Sequence, residues 1–501
     1  MSDRPGQVPA AEPAAPVFVS DFCAADRRPL LLTAAILASA MGFIDGTVVA
    51  IAIPAIRDSL LATLAEAQWV HNAYMLTLSA LILVGGAFGD RFGLARVFGT
   101  GIVLFVAASL LCAMATGPAF LIAARALQGI GAAIMVPGSL AVIARAYPRG
   151  ERGRAIGIWA AASALTTALG PVVGGMVLTF GGESMWRWIF AVNLPMGIIS
   201  VALLARAVKR DPARAGTPVD WLGALLATLA FLGIAWGLTQ TEAHPRAGAL
   251  WLVAGVVVLG LFLLSQARGR HPMMPLGMFR NRDFSAANLV TFTLYSALSM
   301  VFFYLPMTLV AGWGESEIVT SIAFAPMTVF IALLSPRMGR LAESTGPAPL
   351  LAGGAVIVAA GYEVMAFTAP AELFWWGVMP AMCLVGLGMS LVVAPLSTAV
   401  MGAVEEEESG LASGINNAAT RLAGLIAVAA TGGLAAGAYA RAGGVASFGE
   451  SSTTAGHALA MSAGLAAICH LAAALSLISA AIAWMALRGV GSARPGPEAG
   501  A

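Results

Sequence analysis

Runs of about 20 apolar residues, separated by short segments rich in Arg, Gly and Pro, recur from residue 30 to residue 487. Each run is long enough to cross a hydrocarbon core about 30 Å thick as a helix. The pattern predicts about fourteen spans, beginning near residues 30, 68, 96, 117, 152, 187, 220, 249, 285, 317, 348, 373, 409 and 457. An even number of crossings places both termini on one side. Composition agrees: 59% of residues are hydrophobic and only 10% charged, against about 25% charged in a soluble domain. The fold class is therefore an all-α polytopic membrane protein.

The charges supply an orientation. Arg91, Arg96, Arg145, Arg149, Arg152, Arg154, Arg206, Lys209, Arg210, Arg214, Arg268, Arg270, Arg280, Arg282, Arg337 and Arg340 fall in alternate loops, whereas the opposite loops hold only Arg57, Arg187, Arg246 and Arg441. Positive loops stay inside, so both termini are expected in the cytoplasm and the chain in the cytoplasmic membrane. Glu405 to Glu408 dissent, although acids weigh little in this rule. Trp69, Trp186, Trp188, Trp251, Trp313, Trp375 and Trp376 fall near outer ends and are expected to form an interfacial belt. A net charge of +2 without a basic stripe interleaved with aromatics gives no reason to expect nucleic acid. The four cysteines lack metal-like spacing, and no disulfide is expected. Residues 1–28 are Pro/Ala-rich and expected to be a disordered tail, with a second tail at 488–501.

Ionisable residues interrupt the apolar runs. Asp45, in "MGFIDGTVVA", sits where ionisation costs ~2.5–3.5 kcal/mol on insertion scales. At about 1.5 Å per residue, Asp45 and Arg125 lie roughly 22 and 18 Å from the inner face. Glu363 and Arg421 come out at roughly 21 and 18 Å. Two acids and two arginines are thus expected in one layer. Desolvation disfavours a charged carboxylate and a nearby Arg restores it, so moving the Arg switches proton affinity. Asp45 is the first candidate for a proton carrier, Arg125 its partner, and Gln128, one turn on, a hydrogen-bonding neighbour. The pair also reads as a structural ion pair. Glu363 is either a cation-binding acid facing a cavity or an acid near the outer water. Asn193, Asn416 and Asn417 read as helix caps or substrate contacts, and Trp159, Phe302, Phe303 and Tyr304 as cavity lining or packing.

A weak repeat organises the spans. "GAFGDRFG" at 86–93 and "GRLAESTG" at 339–346 share glycines at two positions and an acid, Asp90 or Glu343, at a third. Both follow the second helix of a six-helix set if 29–206 and 285–487 are two bundles and 207–284 carries two inserted helices on basic linkers. Gly93 is expected in a left-handed turn and Gly86 at a close helix approach. Asp90, Arg91 and Arg96 form a candidate cytoplasmic latch. Gly170, Pro171, Gly174 and Gly175 combine small residues at helical spacing with a bend, a candidate hinge or seal.

These segments carry a resemblance. "GAFGDRFGLARV", "IDGTVVAIAIPAI", "RALQGIGAAIMVPGS", "LGPVVGG", "WRWIFAVNLPMG" and "SGLASGINNAATRLAG" resemble motifs of the major facilitator superfamily, specifically its fourteen-helix drug:H+ antiporter branch of EmrB/QacA type. The likeness covers residues 30–487. It departs at Leu94 and Ala95, where the family usually has basic residues, at Thr166 in place of Gly, and at Ala50 in place of Asn. The resemblance implies two pseudo-symmetric bundles working by alternating access and places Asp45 and Arg125 inside matched motifs.

Lys209 is the only lysine and no GxxxxGK precedes it, so a phosphate-binding loop is excluded. A gradient remains as the energy source. One charge falling through 100 mV releases about 2.3 kcal/mol, enough for a roughly fiftyfold substrate gradient. The expectation is a monomeric, cofactor-free and metal-free proton-coupled exporter of small amphipathic organic compounds or antibiotics. Its partners are the substrate, protons and the lipid bilayer, without ATP. The alternatives are a dedicated exporter of one metabolite or antibiotic, a proton symporter and, remotely, a membrane-embedded enzyme or receptor. No HExxH or GxSxG supports the enzyme reading.

Overall fold

The structure is a computed structural model and describes residues 22–181, 183–209, 211, 219–241, 244–405 and 408–488. The first bundle contains α1 (Arg28–Leu60), α2 (Leu64–Phe92), α3 (Leu94–Ala113), α4 (Pro118–Ala146), α5 (Arg149–Gly181), α6 (Trp186–Ala191) and α7 (Asn193–Ala207). The last two run on from one another as a single span. An inserted hairpin follows, α8 (Trp221–Gln240) and α9 (Pro245–Arg268). The second bundle contains α10 (Arg282–Met307), α11 (Glu317–Ile322), α12 (Ala325–Thr345), α13 (Pro347–Thr368), α14 (Met379–Gly402), α15 (Ser409–Arg441) and α16 (His457–Ala486). Among the described residues the only strand-like pairing is one isolated bridge, Cys23 to Val208.

Among the described residues, thirteen helical segments are long and apolar enough to cross a membrane. The fourteenth rod is α5, whose strongly apolar stretch is limited to Gly170–Phe180 because Arg149, Glu151, Arg152 and Arg154 occupy its first turns. The arrangement is six, two, six. Each bundle repeats the same packing: α2 lies on α4 as α12 lies on α14, α3 on α4 as α13 on α14, and α1 on α5 as α10 on α15. The repeat motif falls at the matching joints. Gly93 (φ 101°) is the single residue between α2 and α3, and Gly346 (φ 77°) the single residue between α12 and α13. Positive φ favours glycine there.

The bundles meet along α2 with α15 and along α5 with α11. On the first seam, Gln68 Nε2 donates to Val428 O at 2.7 Å and to the Tyr304 hydroxyl at 2.9 Å. At the end of the molecule away from α1's first residue, the seam is clamped. Arg57 Nη1 donates to Phe448 O at 2.5 Å, and Ser451 Oγ donates to Asp58 Oδ2 at 3.0 Å, so α1 holds the loop between α15 and α16. At the same distal end, Thr179 Oγ1 donates to Glu317 Oε2 at 3.1 Å. At the arginine-rich end of α5, a Cβ at Gly150, Gly153 or Gly157 would meet nothing within 4 Å.

Three expectations change here. Residues 22–28, placed in a disordered tail, pack against the segment after α7: Phe22 and Cys23 are buried, Lys209 N donates to Phe22 O at 2.9 Å, and Arg145 lies over the Phe22 ring. The rest of that tail, residues 489–501 and most of the linker 207–219 fall outside the described residues. Trp69 and Trp186 do not join a belt, since both are buried and Trp69 stacks on Trp236 of α8 with centroids 5.1 Å apart. Gly86 is no contact point, as a Cβ there would meet nothing, whereas its neighbour Gly85 lies against the Ala133 carbonyl.

Within the first bundle, glycines set how closely α4 approaches its neighbours. A Cβ on Gly131 would sit 2.6 Å from Phe105 N, and one on Gly129 would collide with the Tyr74 carbonyl. Overpacking of this kind costs ~1–3 kcal/mol. Gly131→Ala is expected to lower the thermal unfolding temperature of the purified protein, whereas Gly157→Ala, at an open helical position, is expected to leave it unchanged or raise it.

Candidate functional site

The close approach of α4 to α2 and α3 places the side chains one turn before those glycines in the bundle interior. Arg125 and Gln128 are three residues apart and so share one helix face. Opposite them α1 presents Asp45. Arg125 Nη1 donates to Asp45 Oδ2 at 2.6 Å, and Gln128 Nε2 donates to Asp45 Oδ1 at 2.8 Å. Both carboxylate oxygens therefore accept a hydrogen bond. Arg125 and Asp45 are each only 1% exposed.

The network extends through four further contacts. Arg125 Nη1 also donates to Gln128 Oε1 at 2.6 Å, and its Nε donates to Val70 O of α2 at 3.0 Å. Gln128 Nε2 donates to Ser109 Oγ of α3 at 2.9 Å, and Asn193 Nδ2 of α7 donates to the same hydroxyl at 3.2 Å. The Arg125 guanidinium lies 4.3 Å from the Tyr74 ring centroid and 5.7 Å from that of Phe190. Cation–π contacts of a desolvated cation are worth about 2 kcal/mol or more. α1, α2, α3, α4, α6 and α7 thus converge on one ion pair. Removing one member of such a pair costs ~3–5 kcal/mol because the other charge is left buried.

This geometry can exchange a proton for a guanidinium. Both bind the same carboxylate oxygen, so protonation of Asp45 and its contact with Arg125 are alternatives.

The other candidate residues are placed elsewhere. Glu363 does not join the Asp45 layer. It lies on the outer face of α13, 38% exposed, with His470 Nδ1 of α16 at 2.9 Å from its Oε2 and Phe367 close by at 76% exposed. Helix rise gives height and not direction: Tyr362, Met365 and Ala366 turn inward, and Glu363 and Phe367 therefore turn out. Arg421 is half-buried on α15 and faces the seam, within electrostatic reach of Tyr74, His71 and Tyr295. His71, to which the sequence assigned nothing, lies 5.6 Å from the Phe303 ring across the seam.

At the joint before α3, Arg91 is exposed, lies over the Phe92 ring and makes no ion pair among the described residues. The side chain of Asp90 is outside the described residues. What caps this joint is Asp211, whose Oδ2 accepts from Arg96 N at 2.8 Å. Of the fifth-helix residues, Gly170 and Pro171 are buried, Gly174 lies against Val48 of α1, and a Cβ on Gly175 would sit 2.6 Å from Glu317 O of the second bundle. Asn416 donates to Thr291 Oγ1 at 2.7 Å and Asn417 to Ser413 O at 3.0 Å, so neither caps a helix. Trp159 Nε1 donates to Ser39 Oγ at 2.9 Å, and Phe303 and Tyr304 are buried in the packing.

Sequence reasoning missed Ser109, Tyr74 and Asn193 as parts of the network, and Arg57 as a clamp. Ser109 and Tyr74 are ordinary residues in apolar helices, and only tertiary contact singles them out. Asn193 carried a signal, an amide inside an apolar run.

Comparisons with known proteins agree with this architecture. Residues 35–428 match the Major Facilitator Superfamily. The methylenomycin A resistance protein of Bacillus subtilis is 31% identical over 78% of this chain and 84% of that protein. The puromycin resistance protein of Streptomyces alboniger is 33% identical over 83% of each. Among solved structures, a D-xylose-proton symporter superposes with a TM-score of 0.62 at 15% identity, covering 91% of this chain and 97% of that one. The chain is a multi-pass membrane protein that belongs to the Major Facilitator Superfamily of transporters.

Proposed function

We propose that the protein is a proton-coupled exporter of amphipathic organic compounds in the cytoplasmic membrane, with its arginine-rich end in the cytoplasm. The observation that carries the coupling is the Asp45–Arg125 pair, an ion pair 1% exposed in the interior of a transporter bundle. Intramembrane ions of this kind mark ion pathways far more often than fold stability. The relatives named for resistance to methylenomycin A and to puromycin support an antibiotic-like cargo. The asymmetric distribution of arginines supports the orientation.

The cycle follows from the two alternatives at Asp45. The clamp at the distal end by Arg57 and Glu317 supports reading this arrangement as the one that loads from the cytoplasm. In that state Asp45 is ionised and bound to Arg125. When the seam reopens at the distal end, a proton arriving from outside takes the carboxylate and frees the guanidinium. The small residues Gly174 and Gly175 let α5 slide against α1 and α11 during the change. Return to the inward state delivers the proton, and Arg125 reclaims Asp45. Binding energy is shared between sites near the midplane of two bundles rocking about the seam.

A dedicated exporter of one compound is the second reading, favoured by the fact that each named relative carries the name of a single antibiotic. A resistance profile separates the two. Expressed to equal membrane levels in an efflux-deficient bacterium, the wild type is expected to protect against several chemically unlike compounds and Asp45→Asn against none. Protection against one compound only indicates the dedicated exporter. Full protection by Asp45→Asn refutes the assigned role of Asp45.

Arg125→Lys tests the partner. Lysine offers a point charge without the planar fork that reaches Asp45, Gln128 and Val70 together. The variant is expected to fold with lowered stability and to lose at least about tenfold in export rate, which corresponds to ~1.4 kcal/mol in the barrier. Arg125→Ala, which strands the Asp45 charge, is expected to lose ~3–5 kcal/mol of stability by thermal unfolding in detergent.

A further inference from the structure

A cavity separate from the Asp45 network lies on the seam. Its volume is about 190 Å³ and it is lined from α2 of the first bundle, α10 and α15 of the second, the inserted α8 and α9, and the linker from α9 to α10. Since α8 packs on both α2 and α15, the inserted hairpin roofs the place where the bundles join. The principal lining side chains are Phe231, Phe262, Phe279, Met273, Met274 and Leu422. No charged residue lines it. Its two hydrogen-bonding side chains are already engaged: Ser79 Oγ donates to Met75 O at 2.5 Å, and Asn288 Nδ2 donates to Phe284 O at 2.9 Å.

The methionines are held over this cavity by a half-buried polar clamp. Asp220 caps α8, its Oδ1 accepting from Gly223 N at 2.7 Å. Its Oδ2 accepts from Gln266 Nε2 at 2.7 Å and from Met273 N at 3.2 Å, and Gln266 Oε1 accepts from Met274 N at 3.0 Å. The backbone of both methionines is therefore fixed while their side chains stay adaptable.

An apolar cavity of about 150 Å³ stays dry when empty and takes up one aromatic ring. Phenylalanine edges and thioethers favour aromatic guests. We propose that the seam cavity is a second ligand site, for uncharged aromatic molecules of one or two rings, and that the inserted hairpin exists in part to build it. The site uses no group of the Asp45 network, so it stands independently of the proposed export.

The test is photolabelling of the full chain in lipid nanodiscs with 3-trifluoromethyl-3-phenyldiazirine, with adducts mapped by mass spectrometry and competed by 1-naphthol. The expected result is an adduct on the 415–422 segment of α15. Its yield should fall about tenfold with 1-naphthol at ten times its Kd, while adducts at the exposed Val256 and Val257 of α9 remain. Filling the cavity from either side, with Ala227→Trp on α8 or Ala419→Phe on α15, should abolish the competed adduct. Two variants on different helices, each checked for monodispersity, guard against loss by misfolding. The proposal is overturned if the 415–422 adduct is absent, if 1-naphthol leaves it unchanged, if competition is equal at Val256 and Val257, or if the folded filled variants retain it.

Discussion

A single buried ion pair organises the first bundle. Six of its helices reach the Asp45–Arg125 contact or a group bonded to it. The pair exists only because each charge finds partners there: two donors on the carboxylate, and two carbonyl-type oxygens and an aromatic face on the guanidinium. An unpaired charge at this depth would be untenable. The glycines of α4 follow from that requirement, because a helix held even one methyl further out would lift Arg125 away from Val70 and Asp45.

The two bundles share a scaffold and divide the labour. Their helix pairings match, yet the buried ion pair belongs to the first, whereas the corresponding interior of the second is held by neutral bonds such as Asn416 to Asn288 and Thr291. The proposed proton coupling would therefore rest on the first bundle alone. The seam joins them by contacts that can be broken: Gln68 to Val428, Arg57 to Phe448, and Thr179 to Glu317. Hydrogen bonds of this kind are modest in net worth, ~0.5–1.5 kcal/mol each and somewhat more from a charged donor, so the proposed opening of the clamp would break only weak bonds.

Much of this was legible in the residues. Hydropathy fixes where helices cross, and the interruption by Asp45, Arg125 and Gln128 marks a costly site, because the bilayer penalises each polar group there. The positive φ at Gly93 was legible as well, whereas that at Gly346 was found at the matching end of the repeat. Direction around the helix was not. Glu363 was expected level with Asp45, yet it lies on the outer face of its own helix beside His470. Loop contacts were equally hidden: neither Asp211 on the α3 terminus nor Arg57 on Phe448 leaves a trace in local sequence, for each depends on chain segments far apart.

The central claim of the proposal is that a proton and the Arg125 guanidinium exchange at Asp45, so that substrate loads onto the form in which Asp45 has given up its proton. The direct measurement is proton release when the purified protein, in weakly buffered detergent solution with a pH indicator, binds a compound it exports. Mixed across a series of pH values, the wild type should release up to about one proton per molecule bound, and Asp45→Asn should bind the compound and release none. Equal release from both proteins would contradict the account.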